Sequence, residues 1–363
     1  MIPYTGVLLL LMSAYLYSRA HYVVAPNLLV GYTLLCLTAL LGLRFGVGSD
    51  YYSYKEIFYS TDTLSDFNWF IYKAGENTPI ESGYAALAFL VRELTDSYAV
   101  FVFLWAVLSV SLKIYVFSKT SPIFILSFLI YFAEEWFWKD HSGARSGMAA
   151  TFVLLSMLYI QKGSFRKFCL CIFAGVLFHV SAAIALPFYL IRYFPNIKIM
   201  PVVLVVAIAV SLTGGVGLMI VELAGLAGVP DSSRLIKYAL REDVGGIRIL
   251  GGTYILHILL SCIFLFFYRP LTSAWPLNKS LIPLYVYGTA LFFLVLDYGI
   301  VAGRIRELLT VPAITILLPS FIPALKQKEQ VVGVFAVFGY AILWFYLKTR
   351  ERVSYSSILT ATL

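Results

Sequence analysis

Apolar runs of membrane-spanning length recur along this chain, and they constrain its fold more than any other feature. An α-helix rises 1.5 Å per residue, so roughly 17–25 apolar residues cross a bilayer. Runs close to that length fall near residues 4–18, 27–43, 98–117, 122–138, 146–160, 168–191, 199–224, 253–268, 281–299, 305–324 and 331–347. The pattern predicts an all-α polytopic integral membrane protein with about eleven transmembrane helices. They form a single transmembrane domain over residues 1–363.

Composition excludes the soluble classes. Hydrophobic residues make up 61% of the chain and charged residues only 13%, against about 25% charged in soluble domains. The net charge of +8 comes from 27 basic and 19 acidic residues. In a membrane protein such an excess reflects cytoplasmic loops, so no nucleic-acid partner is expected. Cys36, Cys169, Cys171 and Cys262 all lie in apolar stretches, with neither a disulfide framework nor zinc-ligand spacing. No acidic cluster demands a metal, and no cofactor is expected. The N-terminus shows no basic region or cleavage site, so its first apolar run is expected to be a retained span.

Two long polar connections interrupt the apolar pattern, residues 44–84 and 226–252. Within "GYAALAFLVREL", 83–94, one face is apolar and the other carries Arg92 and Glu93, as in an interfacial helix. Lys and Arg in "QKGSFRK", 161–167, and "KTRERV", 348–353, mark cytoplasmic loops. Counting back from 161–167 places the 44–84 loop outside. If 168–191 crosses once, 192–198 lies outside and 226–252 inside. If the chain breaks at "HVSA", 179–182, and returns, both assignments reverse. The second long loop is expected outside.

Ionisable residues at span boundaries are the candidates for chemistry. "RFGVGSDYYSY", 44–54, opens with Arg44 and carries Asp50, Tyr51 and Tyr54. As an interfacial turn it would use glycines for the bend, Asp50 as a helix cap and tyrosines as an aromatic belt. His179 sits about 18 Å along a helix from the cytoplasmic side, where it is either a packing residue or a proton acceptor. Arg145 opens one span and Arg304 and Arg306 another; each alone could snorkel to the interface.

Together these stretches resemble the EpsG-type members of the Wzy polysaccharide polymerases. The resemblance rests on "RFGVGSDYYSY", "ESGY" at 81–84, "RSGMA" at 145–149, "FHVSA" at 178–182, "SSRLIKYA" at 232–239 and "GRIRELL" at 303–309. Where the family often has Arg-Gln, this chain has Arg145-Ser146. The resemblance implies a GT-C-like glycosyltransferase of the bacterial inner membrane. Its active site would face the periplasm or exterior. It would polymerise undecaprenyl-diphosphate-linked oligosaccharide units into O-antigen, capsule or exopolysaccharide. The implied partners are the bilayer, the flippase that delivers units and a chain-length regulator.

That chemistry needs these residue types. Arginine forks match diphosphate oxygens, which suits Arg44, Arg145, Arg304 and Arg234, with Lys237 beside them. A sugar hydroxyl attacking the donor needs a base, for which His179 and Asp50 are the candidates. Glu81, Tyr51 and Tyr54 would contact sugar. Two other classes fit the same residues. A transporter or flippase of lipid-linked sugars would use Asp297, inside "LVLDYGIVAGR", as an ion site. A polysaccharide ligase would use the same lipid donor.

Overall fold

Our computed structural model describes residues 2–20, 26–61, 71–74, 78–193, 197–216, 252–350 and 355–361, with 219, 223 and 226. Two long helices, α1 (Ile2–Ala20) and α2 (Pro26–Gly42), open the chain. The first polar connection then folds into regular elements: α3 (Tyr51–Ser60), the antiparallel hairpin β1 (Ile71–Ala74) and β2 (Thr78–Glu81), and α4 (Ser82–Arg92). The one-sided helix expected at 83–94 is α4, which buries Tyr84, Ala85, Ala88 and Val91.

Next come α5 (Tyr98–Thr120), α6 (Phe124–Glu134), a π-helical turn Phe137–Ser142, α7 (Ala144–Gln161) and α8 (Phe165–Phe178). A 3-10 segment, Val180–Arg192, leads into α9 (Ile199–Leu212). The C-terminal part holds α10 (Gly252–Phe266), α11 (Tyr268–Ala274), α12 (Asn278–Leu294) and α13 (Gly299–Ile305). A second π-helical turn, Arg306–Thr310, runs into α14 (Val311–Ala324), followed by α15 (Gln330–Thr349) and α16 (Ile358–Ala361).

The helical class expected from the sequence holds, but the count of eleven spans is not established. Among the described residues two helices are long and apolar enough to cross a membrane, Tyr98–Thr120 and Gln330–Thr349. A bent pair, Tyr254–Phe266 with Tyr268–Ala274 at 72°, makes a third if it is one span. Other apolar runs are divided: the run at 122–138 ends its α-helix at Glu134, and the run at 168–191 breaks at His179. The two long helices leave Leu104, Val107 and Leu108, and Val332, Phe335 and Leu343, exposed. Apolar residues on an outward helix face fit a lipid solvent.

The break at His179 turns the chain back on itself. His179 is extended, φ −158° and ψ 122°, and its ring accepts the Ser181 backbone N–H. The Tyr189 ring returns to within 5.0 Å of Phe165 and 5.1 Å of Phe168. Arg192 then donates to the Ile160 carbonyl at 3.3 Å. Of the two readings of this stretch, the structure therefore shows the return: residue 192 comes back beside the 161–165 end. α8 climbs only about 20 Å, so its turn stops short of a full bilayer crossing of about 30 Å.

Most buried apolar residues form one core running through α5, α6, α7, α12 and α14. A smaller aromatic cluster joins α3, α4 and the start of α5: Tyr51, Tyr54, Phe58, Tyr84, Phe101 and Trp105. This second cluster backs the site described next.

Candidate active site

The stretch Arg44–Asp50 lies against the first π-helical turn, and glycine makes that approach possible. Gly48 has φ +104°, and a Cβ there would run into the His141 carbonyl. Arg44 Nη1 donates to the Asp140 carbonyl at 2.6 Å, and the Ser49 N–H to Ser142 Oγ at 3.2 Å. Behind them, the Phe45 N–H binds the Ser356 carbonyl at 2.8 Å. Docked in this way, the stretch brings Asp50 to the rim of an open polar cavity.

That cavity holds about 360 Å³ and is lined by Asp50, Trp138, Lys139, Ser146, Arg304 and Glu307, among others. Two π-helical turns supply its core: one carries Trp138 and Lys139, and the other begins two residues after Arg304 and carries Glu307. π-Turns widen a helix by a residue and recur at functional sites. Here the first turn splits its side chains between two sides. Trp138 and Lys139 line the cavity, whereas Asp140 faces inward to Lys113 Nζ and Ser109 Oγ, each at 2.9 Å, and to the Tyr131 hydroxyl. On the same inward side, His141 takes the Trp136 indole N–H at 3.1 Å.

Three polar side chains meet at the cavity floor. Glu307 Oε2 lies 2.6 Å from Lys139 Nζ and 3.1 Å from Arg304 Nη1. Lys139 also donates to Ser146 Oγ at 3.1 Å. Asp50 differs from Glu307: it accepts the Ser49 hydroxyl at 2.8 Å and has no cation paired with it among the described residues.

A second cluster adjoins the first across one residue of α7. Ser146 faces the cavity, while Arg145 pairs with Glu81 and lies 5.5 Å from the Tyr54 ring centroid. Glu81 Oε1 accepts the Val180 N–H at 3.3 Å and stands 3.9 Å from His179 Nδ1. His179 Nδ1 also meets Ser181 Oγ at 2.7 Å and the Ser181 N–H at 3.3 Å. A nitrogen that accepts a backbone N–H is unprotonated, so neutral His179 carries its proton on Nε2. Its basic nitrogen is thus engaged with the turn it caps. Arg145, bound to Glu81, and Ser146, bound to Lys139, are neighbours on α7 and join the two clusters.

The candidate residues fall in different places. Asp50 and Arg304 line the cavity. Arg145, Glu81 and His179 form the adjoining cluster. Arg44 is 4% exposed, enclosed with Tyr54, Tyr84, Tyr98 and Trp105; the three arginines do not share one open cavity. Tyr51 and Tyr54 are 3% and 5% exposed. Their rings lie beside Arg44 and Arg145, at 6.0 Å and 5.5 Å, and do not line the cavity. Arg234 and Lys237, with most of the second long connection, lie outside the described residues. Asp297 packs against Gly215 and does not line the cavity.

Sequence reasoning missed Lys139, Glu307 and Trp138. A signal was present: "EEWFWKDHSGAR", 134–145, holds six ionisable side chains besides two indoles at the end of an apolar run. Among the described residues no His, Cys, Asp and Glu group has the geometry to hold a metal. In comparisons with known proteins, residues 27–359 match the EpsG family. Neither a curated protein nor a solved structure matches the chain.

Proposed function

Because the chain belongs to the EpsG family, a Wzy-type polymerase-like family, we propose that it is a membrane glycosyltransferase. On this reading it polymerises lipid-diphosphate-linked oligosaccharide units into a bacterial surface polysaccharide. The observation that carries the reading is the cavity, where Asp50, a carboxylate with no cation paired to it among the described residues, shares one wall system with two cations, Lys139 and Arg304. Glycosyl transfer from a diphosphate needs both halves of that arrangement.

The step follows from the groups present. An acceptor hydroxyl oxygen attacks the anomeric carbon of the donor sugar. The bond from that carbon to the phosphate oxygen breaks, and its electron pair leaves with the diphosphate. Arg304 stabilises the charge that grows on the leaving group, as fixed cations do where charge develops. Asp50 takes the hydroxyl proton, because among the described residues it is the cavity carboxylate that no cation holds. The Arg145–Glu81 pair and His179 hold the adjoining turn, behind the wall that the acceptor meets. Trp138, 52% exposed on the cavity wall, offers an indole face to a sugar ring.

The lipid carrier on this reading is undecaprenyl diphosphate, the architecture is GT-C-like, and the cavity opens to the outer leaflet of the cytoplasmic membrane. A flippase would supply units and a chain-length regulator would limit their growth. The return of the chain at His179 supports this orientation. It puts Arg192 and "QKGSFRK" on one side and the Glu81–His179 cluster at the other end of the hairpin.

Purified protein in proteoliposomes, given the lipid-linked repeat unit accumulated by cells lacking the gene, tests the reading. A ladder of products of increasing length is expected. Single units left unextended by a folded protein would overturn it. Transfer of preformed polymer to another acceptor without a ladder would replace it with the ligase reading.

A further inference from the structure

The floor of the cavity is arranged like an occupied anion site. One atom, Glu307 Oε2, receives both Lys139 Nζ at 2.6 Å and Arg304 Nη1 at 3.1 Å. A carboxylate oxygen shared by two cations stands where a phosphate oxygen would bind. The remaining features favour an anion as well. Lys139 is 2% exposed and held by Ser146, so its ammonium is fixed in place rather than sampling solvent. Gly143 and Ser146, at the start of the 18-residue helix α7, line the same cavity, and helix N-termini carry partial positive charge.

Charge balance sets the carboxylate and a diphosphate in competition for the floor. The cavity now holds two cations, Lys139 and Arg304, and two anions, Glu307 and Asp50. A sugar-bearing lipid diphosphate adds two further negative charges. Binding it with Glu307 in place would set three like charges around two cations at the floor. Glu307 has somewhere to go. It also lines a small inner chamber with Lys113 and Glu135, and Arg306 precedes it on the same turn. Glu307 sits on a π-helical turn, Arg306–Thr310, a feature that recurs at functional sites.

We propose that Lys139 and Arg304 form the subsite for the donor's diphosphate, and that Glu307 is its resident counter-ion, displaced on binding. Lys139 is then a further binding residue for the reaction, and Glu307 a built-in competitor that returns as the free lipid diphosphate departs. The inference rests on the polymerase reading for its ligand, but the subsite is tested by binding alone.

The test is isothermal titration of the full chain in nanodiscs with two probes, inorganic pyrophosphate and, separately, undecaprenyl diphosphate in the disc lipid. Glu307→Gln keeps the side-chain volume and removes the competing charge, so both probes should bind about tenfold tighter or more. Lys139→Met should weaken both about tenfold or more. In the double variant Lys139→Met/Glu307→Gln, which removes the pair together and tolerates the loss of either charge, affinity should stay well below that of Glu307→Gln. If Glu307→Gln does not fold, Glu307→Asp withdraws the carboxylate by one methylene and should still bind tighter than the native chain. Unchanged or weaker binding by a folded Glu307 variant would overturn the proposal, as would pyrophosphate binding with no response to the lipid diphosphate. A missing polymer ladder with these shifts intact would instead refute the polymerase reading and leave the subsite standing.

Discussion

Arg145→Met is the perturbation whose consequences the structure fixes most closely. The Arg145 and Glu81 side chains are 22% and 13% exposed, so the pair is mostly buried and only partly screened. Removing one member of a buried pair costs about 3–5 kcal/mol, because the other charge stays buried; partial exposure reduces this to about 2 kcal/mol. Losing the guanidinium beside Tyr54 adds about 0.5–1 kcal/mol. The total is therefore about 3 kcal/mol. Glu81→Gln is milder, at about 1–2 kcal/mol, since its amide oxygen still accepts the Val180 N–H. Independent losses would make the double variant cost about 4–5 kcal/mol, but removing both charges together should cost only about 2–3 kcal/mol. Unfolding of all four proteins in mixed micelles, titrated with a denaturing detergent, measures the cycle. A coupling below about 0.5 kcal/mol would show that the pair does not hold the His179 turn to α4, and the reasoning would fail.

Three other outcomes follow from the same geometry. Gly48→Ala forces φ +104° on a residue with a Cβ and drives it into the His141 carbonyl, so stability should fall by about 2–3 kcal/mol in the same titration. Asp50→Asn should lower the initial polymerisation rate about 100-fold or more while the protein remains folded, measured on the lipid-linked unit. His179→Gln keeps an acceptor for the Ser181 N–H, so the rate should remain within about tenfold of the native enzyme; a loss matching that of Asp50→Asn would return the base to His179.

The sequence showed the helical membrane class because lipid leaves an unmistakable mark, long apolar runs with few charges. It showed less of how those runs are divided. Glu134 and Glu135 end α6 inside a run that reads as one span, and nothing in apolar periodicity announces a π-helical turn. The arginine positions were legible as residues, but not their surroundings. Arg44 and Arg304 both sit at the edge of an apolar run, yet one is 4% exposed behind aromatic rings and the other lines open space. That difference depends on Asp140 and Tyr51, which are distant in sequence or turned by the fold. Lys139 was passed over for the same reason. A lysine at the end of an apolar run is usually an interfacial anchor, and only the approach of Glu307, 168 residues later, makes it part of a site. Tyr51 and Tyr54 show the reverse case. Aromatics beside a polar loop read as a sugar platform, whereas here they are buried beside the arginines, and Trp138 is the exposed aromatic on the cavity wall.

The pairing of buried charge explains how so polar a site is tolerated within so apolar a fold. Lys113 is matched by Asp140, Arg145 by Glu81, and Lys139 with Arg304 by Glu307. Each ion left unmatched in a low-dielectric surround would cost several kcal/mol. The first two pairs join neighbouring elements away from the open cavity, so they fix the frame and need not change during a reaction. The third differs because its carboxylate faces the cavity and its cations outnumber it. On the proposed reading the site binds an anionic headgroup, releases it and waits empty between turnovers, which needs cations that are neither bare nor permanently satisfied. A single carboxylate serving two of them meets that requirement. Asp50, with no cation paired to it among the described residues, is on the same reading the group that takes a proton in that space.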